Sequence, residues 1–283
     1  MQKNGNLSLG FSPCPNDTFI FYGLVHKLVD CHGLSFSQPL LEDVEQLNNW
    51  AVAGVLDVTK LSFHALAHVL DEYCLLATGS ALGRGCGPLL VVKDPEMVDI
   101  TRLRRIAIPG KLTTAALLLQ MYLPHPCELV EMRFDRIMAA VKKGEVEAGV
   151  IIHESRFTYQ QEGLFCLQDL GAWWEETTGM PIPLGGIAAK RSFGPKTLKK
   201  IEQVIGLSVE HSFRYPERCL DYIQSYSQEL DKEVVESHIK LYVNDFSRNL
   251  GTEGRAAVQM FIEKGREKGA LPQGRQDIFI SAG

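Results

Sequence analysis

The sequence predicts an α/β protein of two lobes closing on a ligand cleft, and three observations carry that prediction. Short aliphatic or β-branched runs alternate with amphipathic stretches of helical length over most of the first 190 residues, the pattern of a mainly parallel α/β sheet. Two segments, WAVAGVLDVTKLSFHAL and MAAVKKGEVEAGVIIHESRF, echo each other as helix, glycine, two residues, an acid and then a strand. Two further apolar runs, PLLVV and PLGGIAA, bracket the second of these units and read as crossover strands. The chain therefore leaves one lobe, builds a second and returns. Lobe I is expected from residues 1–88 plus 187–283, with a C-terminal helical tail, and lobe II from residues 89–186.

In order, LSLGF reads as a strand and TFIFYGLVHKLV as a helix, followed by a helix from Glu42 to Ala53. DVTKLS is a strand, FHALAHVL a helix, and CLLATGS and PLLVV are strands. RRIAIPG (strand), TTAALLLQMYL and FDRIMAAVKKG (helices), EAGVIIHE (strand) and SRFTYQQEG (short helix) build the second unit. PLGGIAAKRS is one more strand; beyond Lys196 the chain is amphipathic helix, with at most a strand in its last few residues. Aligning Gly54 with Gly144 sets Asp57 opposite Glu147 and Lys60 opposite Val150, with Ser62 and His153 near the two strand ends.

Bulk properties exclude several classes. The 29 basic and 34 acidic residues give a net charge of −5, with no basic run to neutralise a phosphate backbone, so no nucleic acid is expected. No apolar stretch approaches bilayer length and the N-terminus lacks the apolar core of a signal peptide, so the expected setting is cytoplasmic, with no membrane partner. Seven cysteines without CxxC spacing suit reduced thiols, and no metal is implied.

Ligands of open α/β sheets bind beyond the carboxyl ends of strands, so the turns after the strands are where a site is sought. In SPCPNDT two prolines stiffen the turn, and Asn16, Asp17 and Thr18 either cap the next helix or meet ligand oxygens. Lys60 interrupts an apolar strand end, as a snorkelling residue or as a cation for a carboxylate, with Thr59 and Ser62 beside it. GSALGRGCGP leads into a strand rather than a helix, which discounts a dinucleotide fingerprint and leaves an amide-rich loop with Ser80 and Arg84. IPGKLTT lacks the leading glycine of a P-loop; Thr113 and Thr114 either cap a helix or offer hydroxyls and amides to an anion. His153 closes the run VIIH at a strand end, where an imidazole can act as a general base near neutral pH, and Glu154 either orients it or faces solvent. His64 and His68 share metal-ligand spacing but lack the glutamate of H-E-x-x-H, and read as packing residues. Trp173 and Trp174 read as packing a helix on the second lobe, or with one indole walling the cleft.

Taken together, SPCPNDTFIFYGLVH, TKLS, GSALGRGCGPLL, IPGKLTTAALLL, GVIIHE and WWEETTGMPIPLGGI resemble the 1,4-dihydroxy-6-naphthoate synthase family of the futalosine route to menaquinone. The resemblance covers about the first two-thirds of the chain and continues more loosely through the tail. It implies the type II two-lobed fold of periplasmic binding proteins and a cofactor-independent carbon–carbon lyase that takes cyclic dehypoxanthinyl futalosine, a small-molecule substrate, to 1,4-dihydroxy-6-naphthoate. The family's catalytic histidine falls on His153, and its substrate contacts on Lys60, Ser62, Ser80, Thr114 and Ala115, with Thr113 and Asn16 beside them. Chorismate dehydratase, of the same pathway and fold, and a solute-binding protein are the alternatives; the latter should carry an export signal.

Overall fold

The computed structural model describes residues 6–97, 99–153, 155–227 and 231–280; Glu154 lies outside them. Eleven strands among these residues form two sheets. The first contains β1 (Leu9–Phe11), β2 (Leu40–Leu41), β3 (Val58–Ser62), β4 (Tyr73–Leu75), β5 (Ala81–Gly83) and β11 (Ile182–Lys190). The second contains β6 (Leu89–Val92), β7 (Arg105–Ile108), β8 (Glu128–Glu131), β9 (Ala148–Ile151) and β10 (Phe165–Asp169). Helices α1 (Pro15–Val25), α2 (Val44–Val52) and α3 (Phe63–His68) serve the first sheet, and α4 (Thr114–Tyr122), α5 (Phe134–Lys143), α6 (Ser155–Thr158) and α7 (Leu170–Thr178) the second. The tail carries α8 (Gly194–Arg214), α9 (Pro216–Tyr226), α10 (Lys232–Tyr242), α11 (Asp245–Arg248) and α12 (Gly251–Glu267), followed by an extended segment. Among the described residues it returns to the first sheet by a bridge from Phe279 to Leu75.

The echo in the sequence is an echo in topology. The first sheet runs β2-β1-β3-β11-β4, and the second runs β8-β7-β9-β6-β10, position for position. In each, three strands are parallel and the crossover strand is antiparallel: β11 against β3, and β6 against β9. The sheets are thus mixed rather than mainly parallel, because β6 and β11 enter from the other lobe. The aligned acids do the same job. Asp57 accepts from the Ser8 amide (2.9 Å) and hydroxyl (2.9 Å), just before β1. Glu147 accepts from the Arg104 (2.6 Å) and Arg105 (2.9 Å) amides at the start of β7, and those bonds hold its carboxyl below the usual range. Each acid pins the first strand of its unit after a left-handed glycine, Gly54 at φ 64° or Gly144 at φ 74°.

Strands β2, β8 and β10 escape the sequence reading because they lie at or near sheet edges and are short and partly exposed, so no continuous apolar run marks them. Helix α1 also starts differently from expectation. Its N-cap is Cys14, with Pro15 in the first turn, so Asn16, Asp17 and Thr18 lie inside the helix rather than capping it.

One apolar core joins the two sheets: Leu61 and Leu75 of the first, Phe63 of α3, Leu90, Val92 and Ile106 of the second, the leucines of α4, and Phe261 of α12 all belong to it. A second core packs α1 and α8 on the first sheet, and a third packs α5 on the second. The crossing into β6 is tight. A Cβ on Gly87 would lie 2.3 Å from the Gly171 Cα in α7, a clash of backbone with backbone that no rotamer change relieves. Gly87→Ala is therefore expected to destabilise the fold by about 1–3 kcal/mol or more, read as a lower denaturant midpoint; an unchanged midpoint would show that α7 can move away.

Candidate active site

The site begins with a carboxylate that must be satisfied in the interior. Asp17 is 1% exposed and Lys60 5%. The polar turn exists to serve Asp17: its Oδ2 accepts from the Ser12 amide (3.2 Å) and hydroxyl (2.7 Å), and its Oδ1 from Asn16 Nδ2 (2.7 Å) and from Lys60 Nζ. Thr18 Oγ1 donates back to the Cys14 carbonyl at 3.0 Å, closing the turn. Lys60 is thus neither snorkelling nor solvated, but a paired cation in the middle of β3.

Lys60, Asn16, Asp17 and Ser62 line one side of a cavity. Thr113, Thr114, Ala115, Ile152 and His153, carried by the strand ends of the second sheet, line the other, and Leu61, Leu184 and Tyr242 give it apolar walls. The start of α4 is tied across the two sheets. Thr113 caps the helix through the Ala116 amide (3.2 Å), while Thr114 Oγ1 donates to the Leu184 carbonyl (2.5 Å) and accepts from the Phe63 amide (3.1 Å). Ser62 is held by Asn48, which accepts from its amide (2.9 Å) and donates to its hydroxyl (3.1 Å). Asn48 and Glu45 also reach the second unit: Asn48 Nδ2 donates to the Leu112 carbonyl (3.2 Å), and Glu45 Oε1 accepts from the Leu112 amide (3.0 Å). Burial of Glu45 raises its carboxyl above the usual range.

His153 follows β9 in the left-handed region at φ 57°, uncommon outside glycine and asparagine, which throws its ring out of the strand direction. Phe134 meets the ring edge-to-face at 5.1 Å. Cys14 Sγ lies 3.6 Å from Nδ1 and 4.0 Å from Nε2. His153 also lines a second cavity with Glu42, Asp43, Arg133 and Tyr226, so the imidazole faces a largely apolar compartment and a more polar one.

Of the residues expected from sequence, Asn16, Lys60, Ser62, Thr113, Thr114, Ala115 and His153 come together around the first cavity. Ser80 does not: it is 0% exposed, and its Oγ packs on Gly186 behind the cavity wall. Its loop is not a pliant amide cradle, since β5 pairs it to β11. Arg84 is likewise diverted, donating to the Gly179 carbonyl (3.1 Å) and pairing with Glu253 (3.0 Å). His64 packs as expected, bonded to the Thr113 carbonyl at 3.1 Å beside the His68 ring. Trp174 packs on Phe261, and Trp173 on Tyr122, away from the cavity. Sequence reasoning missed Asp17 as the partner of Lys60, although its place in a stiff polar turn was a signal. It also missed His238 and Tyr242 of α10, which line the cavity from the tail and carry no local signal.

The model of a family described as menaquinone biosynthesis matches residues 7–267. The chain belongs to that family. A Thermus thermophilus protein named 1,4-dihydroxy-6-naphthoate synthase is 47% identical over 274 residues, covering 97% of this chain and 99% of that protein. A Streptomyces coelicolor protein of the same name is 41% identical over 271 residues, covering 94% and 95%. An Archaeoglobus fulgidus crystal structure superposes with a TM-score of 0.88 at 34% identity, covering 95% of this chain and 100% of that one. The periplasmic aliphatic sulphonate binding protein of Escherichia coli superposes with a TM-score of 0.66 at 15% identity, covering 97% and 92%, which bears on fold alone. The family member described here thus has the two-lobed periplasmic-binding-protein fold. No helix among the described residues is long and apolar enough to cross a membrane.

Two expectations follow. Lys60→Met leaves Asp17 buried without its cation and should cost about 3–5 kcal/mol in chemical denaturation, whereas Lys60→Met with Asp17→Asn should recover part of that loss; an additive loss in the double variant would refute the coupling. Burial holds His64 neutral down to a pKa of about 4, while the unfolded chain takes up that proton below about 6.5. Its share of stability is therefore complete above 6.5 and lost as pH falls toward 4, by about 3 kcal/mol. His64→Asn should flatten the stability profile over that interval, and an unchanged slope would count against it.

Proposed function

We propose that this chain is a 1,4-dihydroxy-6-naphthoate synthase, a carbon–carbon lyase acting on cyclic dehypoxanthinyl futalosine with His153 as general base. The observation that carries the reading is the pairing of near-full-length identity to two proteins of that name with an imidazole facing a largely apolar cavity across from a buried lysine. Apolar walls and a single paired cation suit an aromatic carboxylate. The hydroxyls and first-turn amides of α4 suit sugar oxygens, because a helix N-terminus presents N–H groups without intrahelical partners.

In the proposed reaction neutral His153 takes a proton from the bound spirocyclic substrate. The electron pair left behind opens the sugar ring, and retro-aldol-like cleavage of the carbon–carbon bond releases the sugar-derived fragment, which takes up the proton that His153 removed, while aromatisation of the naphthoate drives the step. Electron flow is internal to the substrate, so the reaction as written calls for neither redox cofactor nor metal. We further propose that the two sheets are the cores of lobes divided near residues 88 and 187, with β11 already in the first, and that their approach around the substrate excludes water. A positioned base supplies ~10²–10⁴-fold, and orientation adds to it.

Purified protein should convert cyclic dehypoxanthinyl futalosine to a product with naphthoate absorbance and leave chorismate untouched. Turnover of chorismate instead would make it a dehydratase, and tight binding without turnover would make it a binding protein. His153→Asn, which tolerates the left-handed backbone, should keep its thermal midpoint within a few degrees and lose at least ~10²-fold in kcat. Near-normal turnover would remove His153 as the base.

A further inference from the structure

The cavity holds a second histidine that the proposed reaction does not use. His238 lies on α10, 0% exposed, and lines the cavity beside Lys60 and His153. Its ring is nearly parallel to that of His153, at 15° and 6.2 Å between centroids, and Tyr242, one turn on, packs on its other side at 4.6 Å. Its Nε2 is 3.0 Å from Asn16 Oδ1.

Donor and acceptor chemistry fixes every proton along this line. Asp17, paired with Lys60 as a carboxylate, offers acceptors alone, so the Asn16 atom facing it at 2.7 Å is the amide NH2. Asn16 therefore presents its carbonyl oxygen to His238. The His238 nitrogen at that oxygen must carry the proton, which leaves Nδ1 as the acceptor nitrogen. Burial first, then the neighbouring His153 and Lys60, push His238 well below the ordinary histidine range, consistent with this single neutral tautomer. Without the His238 donor, the orientation of the Asn16 amide would be held from the Asp17 side alone. The flipped amide would turn an oxygen toward the Asp17 carboxylate and loosen its hold on Lys60.

We propose that His238 is a positioning residue of the active site: through Asn16 it fixes the amide that orients Asp17 and so sets the Lys60 ammonium against the substrate. The functional part of this inference rests on the reaction proposed above; the tautomer does not.

The test has two arms on the full-length protein. In nitrogen-15 NMR of histidine-labelled protein, His238 should give the neutral Nε2–H signature across pH 5.5–8, and that signature should be lost or mixed in Asn16→Ala. A charged ring or an Nδ1–H tautomer in the wild type overturns the proposal whether or not the enzyme turns over. In steady-state kinetics His238→Leu should lower kcat/KM by ~10²-fold, the scale of a small misplacement at a reacting centre. His238→Gln, which returns an N–H donor near the Nε2 position, should recover to within ~10-fold of wild type. Because His238 acts through Asn16, His238→Leu should cost less than ~3-fold more in the Asn16→Ala background. Independent, multiplicative losses, or failure of Gln to rescue a folded protein, overturn the positioning role. An inactive wild type with the expected tautomer would instead count against the reaction and leave the Asn16 lock standing.

Discussion

An ionised carboxylate with almost no access to water has to be surrounded, and the first lobe is arranged around that requirement. Asp17 collects two donors from Ser12, one from Asn16 and the ammonium of Lys60. These partners come from the strand-to-helix turn and from the neighbouring strand, so the charge pair fixes α1 against β3 as it builds one wall of the cavity. Desolvating such a pair is costly, and replacing it with apolar groups of similar volume would often stabilise a fold. Its retention at a cavity edge is therefore better explained by what it presents than by what it contributes to stability.

The two halves repeat one architecture but place different chemistry at equivalent strand ends. Where β3 carries Lys60, β9 carries Val150, and where the first unit ends in a serine held by Asn48, the second ends in His153 in a left-handed conformation. On the proposed reading, grip and reactivity fall on opposing walls of the cavity. The walls are nonetheless not independent bodies. The Thr114 hydroxyl joins the Phe63 amide to the Leu184 carbonyl, Glu45 and Asn48 hold Leu112, and one apolar core runs through both sheets.

Much of this was readable from the sequence because it is written in local terms. The alternation of strand and helix, the glycine-then-acid echo, and the position of His153 after an apolar run all depend on neighbours within a few residues. Lys60 was visible as an interruption, yet its partner was not, since the ion pair spans 43 residues. Ser80 lies off the cavity lining because its glycine-rich loop, which looks pliant in sequence, is zipped by β5 to β11, with the serine set near Gly186. His238 was invisible for the same kind of reason: its contact with Asn16 spans 222 residues and depends on α10 packing on α1. Edge strands such as β8 and β10 were lost because half-exposed strands lack the continuous apolar run that marks β6 and β9.

The return of β11 to the first sheet has a consequence during synthesis. This strand lies between β3 on one side and β4 with β5 on the other, yet it leaves the ribosome only after the whole of the second sheet. Until then β3 and β4 each present an unsatisfied edge, while the second sheet, contiguous in sequence from β6 to β10, can close on itself. Translation order therefore favours the later-encoded half as the first to become native, with the earlier-encoded half waiting on a nine-residue strand to complete it.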